Sequence, residues 1–508
     1  MGIRPALVGM TLDSRKVLPL LALCISLPAC IPYIGFLLDG SAAGVSGPGW
    51  QPRLLEALLS SSLLAVTGAV AATLAAATAL PLLLQPRGRR ILAFSLALVF
   101  CLSPVLLLQG FRLLPGFGVL PPFHAAVLVM TWKMVPVAMA MLLLGVLALG
   151  RGELEAGLLS APVGTLVRRL VIPRLWPSVL ASLMVCFVLI FMDGELPGLV
   201  GYRNLPEEIL ARITIAGTGS GVWLLSLPFY LVALLGASAL MLCAGGLRVD
   251  SSWRRADLAV WQEIAQGLSG TTLHGLGLAV LFLLPVLLLT VSALWGLPRL
   301  DLVSGEIRAV FNSAVYGILA ALLAACAGYL VAEGLSLMRG RVPRAVVVLL
   351  LCGQWLTPGY VLGAGMAEFA IPAAPLLEGD RLLVVTHALR VLPLAVLAFL
   401  GFHWMNRRDD PAVELAGIGW WRVFLRLRLP VEWPAWLLVI GVLAALLLSE
   451  LSSTLLVVAP GTETAVLRIY NLMHYGAGER VSLLALLETL AVLGILFLST
   501  RWTRGLFR

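Results

Sequence analysis

Lysine is nearly missing from this chain. Of its 508 residues 35 are basic, yet only Lys16 and Lys133 are lysines, followed by Val17 and Met134. A phosphate-cradling P-loop needs Gly-x-x-x-x-Gly-Lys-Ser/Thr, so the chain holds no such loop of its own. Histidine is scarce as well: His124, His274, His387, His403 and His474 stand apart, with no pair at helical metal spacing. The seven cysteines (Cys24, Cys30, Cys101, Cys186, Cys243, Cys326, Cys352) contain no CxxC pair and all fall in apolar runs. That argues against a disulfide or zinc framework and reads them as small core residues. No nucleophile-and-base set is apparent, and charged residues make up only 12% of the chain.

Apolar residues fill the gap. They are 60% of the sequence, and the mean hydropathy is +1.01, far too apolar for a soluble protein. The expected class is an all-α polytopic membrane protein. Crossing about 30 Å of hydrocarbon takes about 20 apolar residues, and twelve segments qualify. The first, from Val17 to about Leu38, follows Arg15-Lys16 and is longer than a signal-peptide core, so an uncleaved anchor is expected. The formal charge of +9 does not call for a nucleic-acid partner, because the basic residues are spread over short loops. With a cytoplasmic N-terminus, 24 of the 35 fall on the cytoplasmic side and 9 on the other, as the positive-inside rule expects. Both termini are then cytoplasmic.

Two stretches repeat each other. Glu155 to Pro177 and Glu414 to Pro434 are arginine-bearing interruptions between apolar runs. Pro173, Trp176 and Pro177 recur at Pro430, Trp433 and Pro434, each at an offset of 257. The same offset carries Lys133 and Pro136 onto Arg390 and Pro393, and Asp193 onto Glu450. This internal duplication divides the chain into a six-helix repeat over 1–246, a polar linker over 247–271 and a second six-helix repeat over 272–508. An even number of helices per half places the repeats in parallel. The polar loops 151–177 and 406–434 then lie on the cytoplasmic side. In the second, Asp410 and Pro411 suit a helix start, Gly417 and Gly419 a sharp exit, and Trp420 to Leu429 an interfacial helix ended by Pro430. In the first, Ala161-Pro162-Val163-Gly164 serves as the break.

Four charges sit deep in apolar runs: Lys133, Asp193, Arg390 and Glu450. Each costs roughly 3 kcal/mol or more unless paired or hydrated. The expectation is one pair per half, Lys133 with Asp193 and Arg390 with Glu450, either lining the pathway or fastening helices. Glu488 in the last span has no expected partner. Ser103-Pro104 and Thr357-Pro358 lie inside the third and ninth runs.

The organising loops resemble the cytoplasmic signature of permease subunits of binding-protein-dependent ABC importers of the type I fold. Glu155-Ala156-Gly157 with Ile172-Pro173 looks like one copy, and Glu414-Leu415-Ala416 with Gly419 and Leu429-Pro430 like the other. The glutamate-to-proline spacings, 18 and 16, are shorter than usual for the family, and Ser160 stands about where a glycine is expected, with Gly164 beyond it. This leaves open which residue ends the first coupling helix. Two copies in one polypeptide resemble the fused permeases of the ferric iron and thiamine group, and Glu450-Leu451 through Leu456 with Thr464 to Tyr470 looks closest to the iron-type members. The resemblance implies a transport subunit of the bacterial inner membrane that is not itself an enzyme. It implies coupling helices docked on a separate ATPase, about two copies per chain, which carries ATP and magnesium. It also implies a periplasmic or lipid-anchored substrate-binding protein, and no cofactor or metal held by this chain. The cargo stays open between ferric iron and thiamine. The competing classes are an ion-gradient-driven carrier of twelve helices and a non-transporting membrane scaffold.

Overall fold

The computed structural model describes residues 14–27, 52–84, 89–149, 151–216, 226–232, 234–236, 272–296, 304–338, 340–373, 376–406, 420–475 and 478–502. The linker 247–271 and the site residues Glu414, Ala416 and Gly419 lie outside the described residues. Among the described residues every regular element is a helix.

The first half contains α1 (Ser14–Ser26), α2 (Pro52–Leu84), α3 (Arg89–Cys101), α4 (Pro104–Arg112), α5 (Pro122–Leu147), α6 (Arg151–Ser160), α7 (Val163–Phe191), α8 (Glu195–Leu199) and α9 (Leu205–Ala216). The second contains α10 (Thr272–Gly296), α11 (Ser304–Leu337), α12 (Arg341–Trp355), α13 (Gly359–Ala373), α14 (Asp380–Asn406), α15 (Trp420–Leu448), α16 (Thr454–Val457), α17 (Ala465–His474) and α18 (Gly478–Trp502). Seven helices are long and apolar enough to cross a membrane, or nine if each bent pair, α3 with α4 and α12 with α13, is one span. Shorter apolar stretches, Val17–Ser26, Leu227–Gly236 and Leu281–Trp295, accompany them. The protein is a multi-pass α-helical membrane protein.

Helix α2 shows why these spans pack as they do. Ala65, Ala69, Ala72 and Ala76 are buried, while Leu55, Leu59, Leu63, Val66, Val70 and Leu74 form an exposed stripe at helical spacing. Small residues let helices approach and large apolar ones face lipid, the reverse of a soluble helix. The cysteines follow the same logic and correct the expectation that all are core residues. Cys101 and Cys186 are buried, but Cys24 and Cys326 are exposed, because a lipid-facing surface is as apolar as the interior.

Each half lends its first helix to the other. Helix α1 lies against α11, where a Cβ at Gly334 would come within 2.5 Å of the Leu18 carbonyl oxygen and the Ala22 methyl. Helix α10 packs on α3 and α4, and Trp132 of α5 donates its Nε1–H to the Phe282 carbonyl at 3.2 Å.

The duplication is visible in the backbone. Helix α7 carries a π-helical turn at Val167–Val171 and α15 carries one at Phe424–Arg428, again 257 residues on. In each, the N–H after the turn reaches five residues back, Ile172 to Val167 and Leu429 to Phe424. The next residue is Pro173 or Pro430. A proline brings no N–H and crowds the carbonyl four residues earlier, and the widened turn accommodates both. This corrects the expectation that Pro430 ends an interfacial helix: α15 runs unbroken from Trp420 to Leu448.

Candidate functional site

On the side assigned to the cytoplasm, α6 lies between α5 and α7. Leu154 anchors it from a buried position, while Leu159 is 90% exposed. Gly157 matters sterically, since a Cβ there would collide with the Leu166 side chain. Ser160 donates its hydroxyl to the Ala156 carbonyl at 2.5 Å, and the chain breaks at Ala161-Pro162 before α7. Glu153 and Arg174 tie the two arms of the loop at 3.3 Å. Ala156, Gly164 and Pro173 are exposed and Glu155 is half-buried. In the second half Leu429 is half-buried and Pro430 exposed, at the start of α15.

The second half has a collar that sequence reasoning missed. Buried Glu333 of α11 accepts hydrogen bonds from Arg428 and from Trp420 Nε1, and His403 Nδ1 lies 3.7 Å from it. Tyr329 donates its hydroxyl to Glu432 at 3.0 Å, and its ring sits among Phe399, His403, Phe424 and Trp436. A signal was present in the sequence: Glu333 is an acid in an otherwise apolar run.

The intramembrane charges sit at helix breaks. At Ser103-Pro104 the chain bends by 109° between α3 and α4, and near Thr357-Pro358 it bends by 104° between α12 and α13. Proline disfavours a helical residue before it, and the Ser103 hydroxyl caps α4 by accepting from the Val105 and Leu106 N–H groups. Each bend strands carbonyls of the preceding helix end. Lys133 donates to the carbonyls of Val99 (3.3 Å), Phe100 (2.7 Å) and Leu102. Arg390 donates to the Thr357 carbonyl at 2.5 Å. A cation at a helix C-terminus is the electrostatically favoured partner.

One of the two expected pairs is therefore a direct contact. Arg390 Nε lies 3.8 Å from Glu450 Oε2. Lys133 turns to the broken helix instead, and Asp193, just beyond the end of α7, caps α8 by accepting from the N–H groups of Glu195 (3.0 Å) and Leu196 (3.3 Å). Glu450 makes the matching cap, accepting from the Ser453 N–H at 3.4 Å and its hydroxyl at 3.2 Å. Glu488 does have a partner: the Ser449 hydroxyl donates to it at 2.8 Å.

Beyond these caps the halves meet. Glu195 Oε1 accepts the Ser452 N–H at 2.6 Å and the Ser452 hydroxyl, and these two positions are themselves equivalents, 257 apart. Above the contact is a cavity of about 270 Å³. Arg112, Glu195, Glu207 and Leu210 line it from the first half, and Tyr360, Tyr470, Met473 and His474 from the second. The helices that carry Glu207 and Tyr470 are fixed alike: the Leu205 N–H donates to Ser61 Oγ and the Ala465 N–H to Ser313 Oγ, both at 2.8 Å. Burial pushes the Glu207 carboxyl up from its ordinary value, against a hydrogen bond from the Asn204 backbone that lowers it. Burial, with Glu207 and Glu195 nearby, likewise pushes the Tyr470 phenol up. Helix α7, 29 residues long, spans about 43 Å between the α6 loop and this cavity. No group of three or more His, Cys, Asp or Glu side chains among the described residues is placed to hold a metal ion.

No protein-family model matches the chain, and no curated protein matches it by sequence.

Proposed function

We propose that the chain is the permease subunit of an ABC importer of the type I fold. Its two six-helix repeats form the translocation path, and the loops 151–177 and 406–434 couple that path to a separate ATPase. The three shorter apolar stretches bring the spans to twelve. The reading rests above all on one observation: α6 and the π-turned α7 form a loop and lever whose lever recurs at α15 in the same register. The exposed Leu159 and the short stiff α6 give a partner something to grip, and α7 carries a push toward the cavity. ATP and magnesium belong to the partner, so this chain is a transport subunit and not a catalyst. A binding protein delivers cargo, ferric iron or thiamine by the sequence resemblance, to the face opposite the loops. The membrane is the bacterial inner membrane, with both termini cytoplasmic.

The test is purification in mild detergent, with the partner identified by mass spectrometry, followed by uptake into liposomes. The expected result is a P-loop ATPase at about two per chain, lost on substituting Glu155 and Glu414 or Gly419, and uptake that needs ATP on the loop side. Uptake by the chain alone on an ion gradient would overturn the reading in favour of a secondary carrier.

A further inference from the structure

We infer that the cavity between the halves is a binding site for a small organic cation, and that Glu195, which also latches the halves through Ser452, is the residue by which the cation loosens them. The inference deepens the permease reading and rests on it for what the loosening achieves.

Three observations carry it. The first is charge. Two carboxyl groups, Glu195 and Glu207, line the cavity beside one guanidinium, Arg112, which donates to the Leu199 carbonyl at 2.9 Å; burial favours the neutral form of both acids, and a bound cation is the ligand that favours ionising them. The second is unmet hydrogen-bonding capacity. Glu207 Oε2 is buried with no hydrogen-bond partner, and Tyr360, only 4% exposed, makes no hydrogen bond from its hydroxyl among the described residues. A buried polar group without a partner costs about 1–3 kcal/mol, so a ligand that supplies an N–H donor to Glu207 recovers that cost, and one that can accept from Tyr360 gains a further hydrogen bond. The third is shape. The walls are the rings of Tyr360 and Tyr470, with Met473 and Leu210, and the Tyr470 ring is braced by His474 at 4.6 Å between centroids. Aromatic faces attract a cation that is only weakly hydrated, whereas no three metal-ligating His, Cys, Asp or Glu side chains converge among the described residues. Ammonium, amidinium and heteroaromatic cations fit these walls.

The latch follows from Glu195 having two claims on it. Its Oε1 holds the Ser452 backbone and hydroxyl across the junction, and its carboxylate lines the cavity. A cation in the cavity competes with Ser452 for the same charge. Binding and separation of the halves are thereby coupled, and the coupling must be reciprocal.

The test uses the full chain in lipid nanodiscs, with benzamidinium, its neutral isostere benzamide, and benzoate as probes read by isothermal titration. Benzamidinium should bind about tenfold or more tighter than benzamide, the scale of one partly desolvated charge contact, and benzoate should not bind. Glu207→Gln should remove the preference and Glu207→Asp should keep most of it. Ser452→Ala should tighten benzamidinium binding about threefold, since it frees Glu195 from one donor at a net hydrogen-bond value of about 0.5–1.5 kcal/mol. Equal binding of benzamide and benzamidinium by the unaltered chain overturns the site, and unchanged affinity in Ser452→Ala overturns the latch. Cation preference in a chain that engages no ATPase would sink the permease reading and leave the site standing. An ATPase-coupled chain without that preference would do the reverse.

Discussion

The two halves share a backbone plan and differ in what fills the end that carries the π turns. Both have the π-turned lever, the bent third helix, the cation at the break and the serine that fixes the helix above. Around the second lever stand Arg428, Glu432, His403, Phe424 and Trp436. At the equivalent positions of the first stand Val171, Leu175, Val146, Val167 and Val179. A π turn therefore needs no polar collar. The collar adds a fixed attachment of α15 to α11 through Glu333 and Tyr329, which the first half, packed through apolar contacts alone at those positions, does without. Of the two levers, the second is fixed to its neighbouring long helix by buried charge, while the first meets its own through apolar packing and one buried Thr73–Ser182 hydrogen bond at 2.9 Å.

The largest effect should come from taking the collar apart. Glu333 is 5% exposed, and removing one member of a buried pair costs roughly 3–5 kcal/mol; because Arg428 reaches solvent, Glu333→Leu should fall at the lower end. Its thermal midpoint in detergent should drop clearly. The double variant Glu333→Leu/Arg428→Leu makes the second half resemble the first and should recover most of that loss, since apolar replacement of a buried pair is close to neutral. A double variant as unstable as the single one would mean the collar holds more than this pair.

A smaller effect separates the two helix breaks. Lys133→Met strips the donor from three carbonyls at the break after α3, and Arg390→Met strips it from one carbonyl at the break after α12 and from Glu450. Each should cost about 2–3 kcal/mol, the scale of uncompensated buried polar groups. The second-site response should differ. Glu450→Gln should partly rescue Arg390→Met, because it removes the orphaned charge, while Asp193→Asn should rescue Lys133→Met less, because Asp193 spends its hydrogen bonds on α8 and feels Lys133 only from beyond contact distance. Equal rescue in both halves, measured by thermal midpoint, would restore the symmetric pairing that the sequence alone leads one to expect.

That expectation shows how far the sequence reached. The offset of 257 located both levers, and it matched Arg390 and Glu450 to positions that do touch. It misjudged Lys133 because a span that bends by about a right angle looks like any other apolar run in one dimension; Ser103-Pro104 and Thr357-Pro358 were visible, but the carbonyls their bends release were not. The lever's continuity was hidden for a related reason: Pro430 reads as a stop unless the widened turn before it is known. The cavity was out of reach because its walls come from α4, α8, α9, α13 and α17, far apart in the chain, and Glu207 and Tyr360 look like ordinary surface and core residues until they face one another. Legible features were those carried by spacing within one segment or by the repeat; illegible ones depend on which segments meet.

The smallest effect tests the comparison where the halves agree. Ser61 and Ser313 are both buried and each accepts one N–H at 2.8 Å, from Leu205 and Ala465. They hold the first turns of α9 and α17, which bring Glu207 and Tyr470 to the lining of the cavity. Each alanine substitution should cost about 1 kcal/mol, as for the loss of a helix cap, and the two costs should be alike because each removes one buried 2.8 Å hydrogen bond to the same turn of an equivalent helix. The readouts then divide by function. Ser61→Ala loosens the carboxylate wall and should weaken benzamidinium binding more than Ser313→Ala, which loosens a tyrosine that contributes a face and not a charge. Equal thermal cost with unequal binding loss is what a shared frame with differently filled walls requires. Unequal thermal cost would show that the likeness of the two halves ends at the backbone even on this side of the membrane.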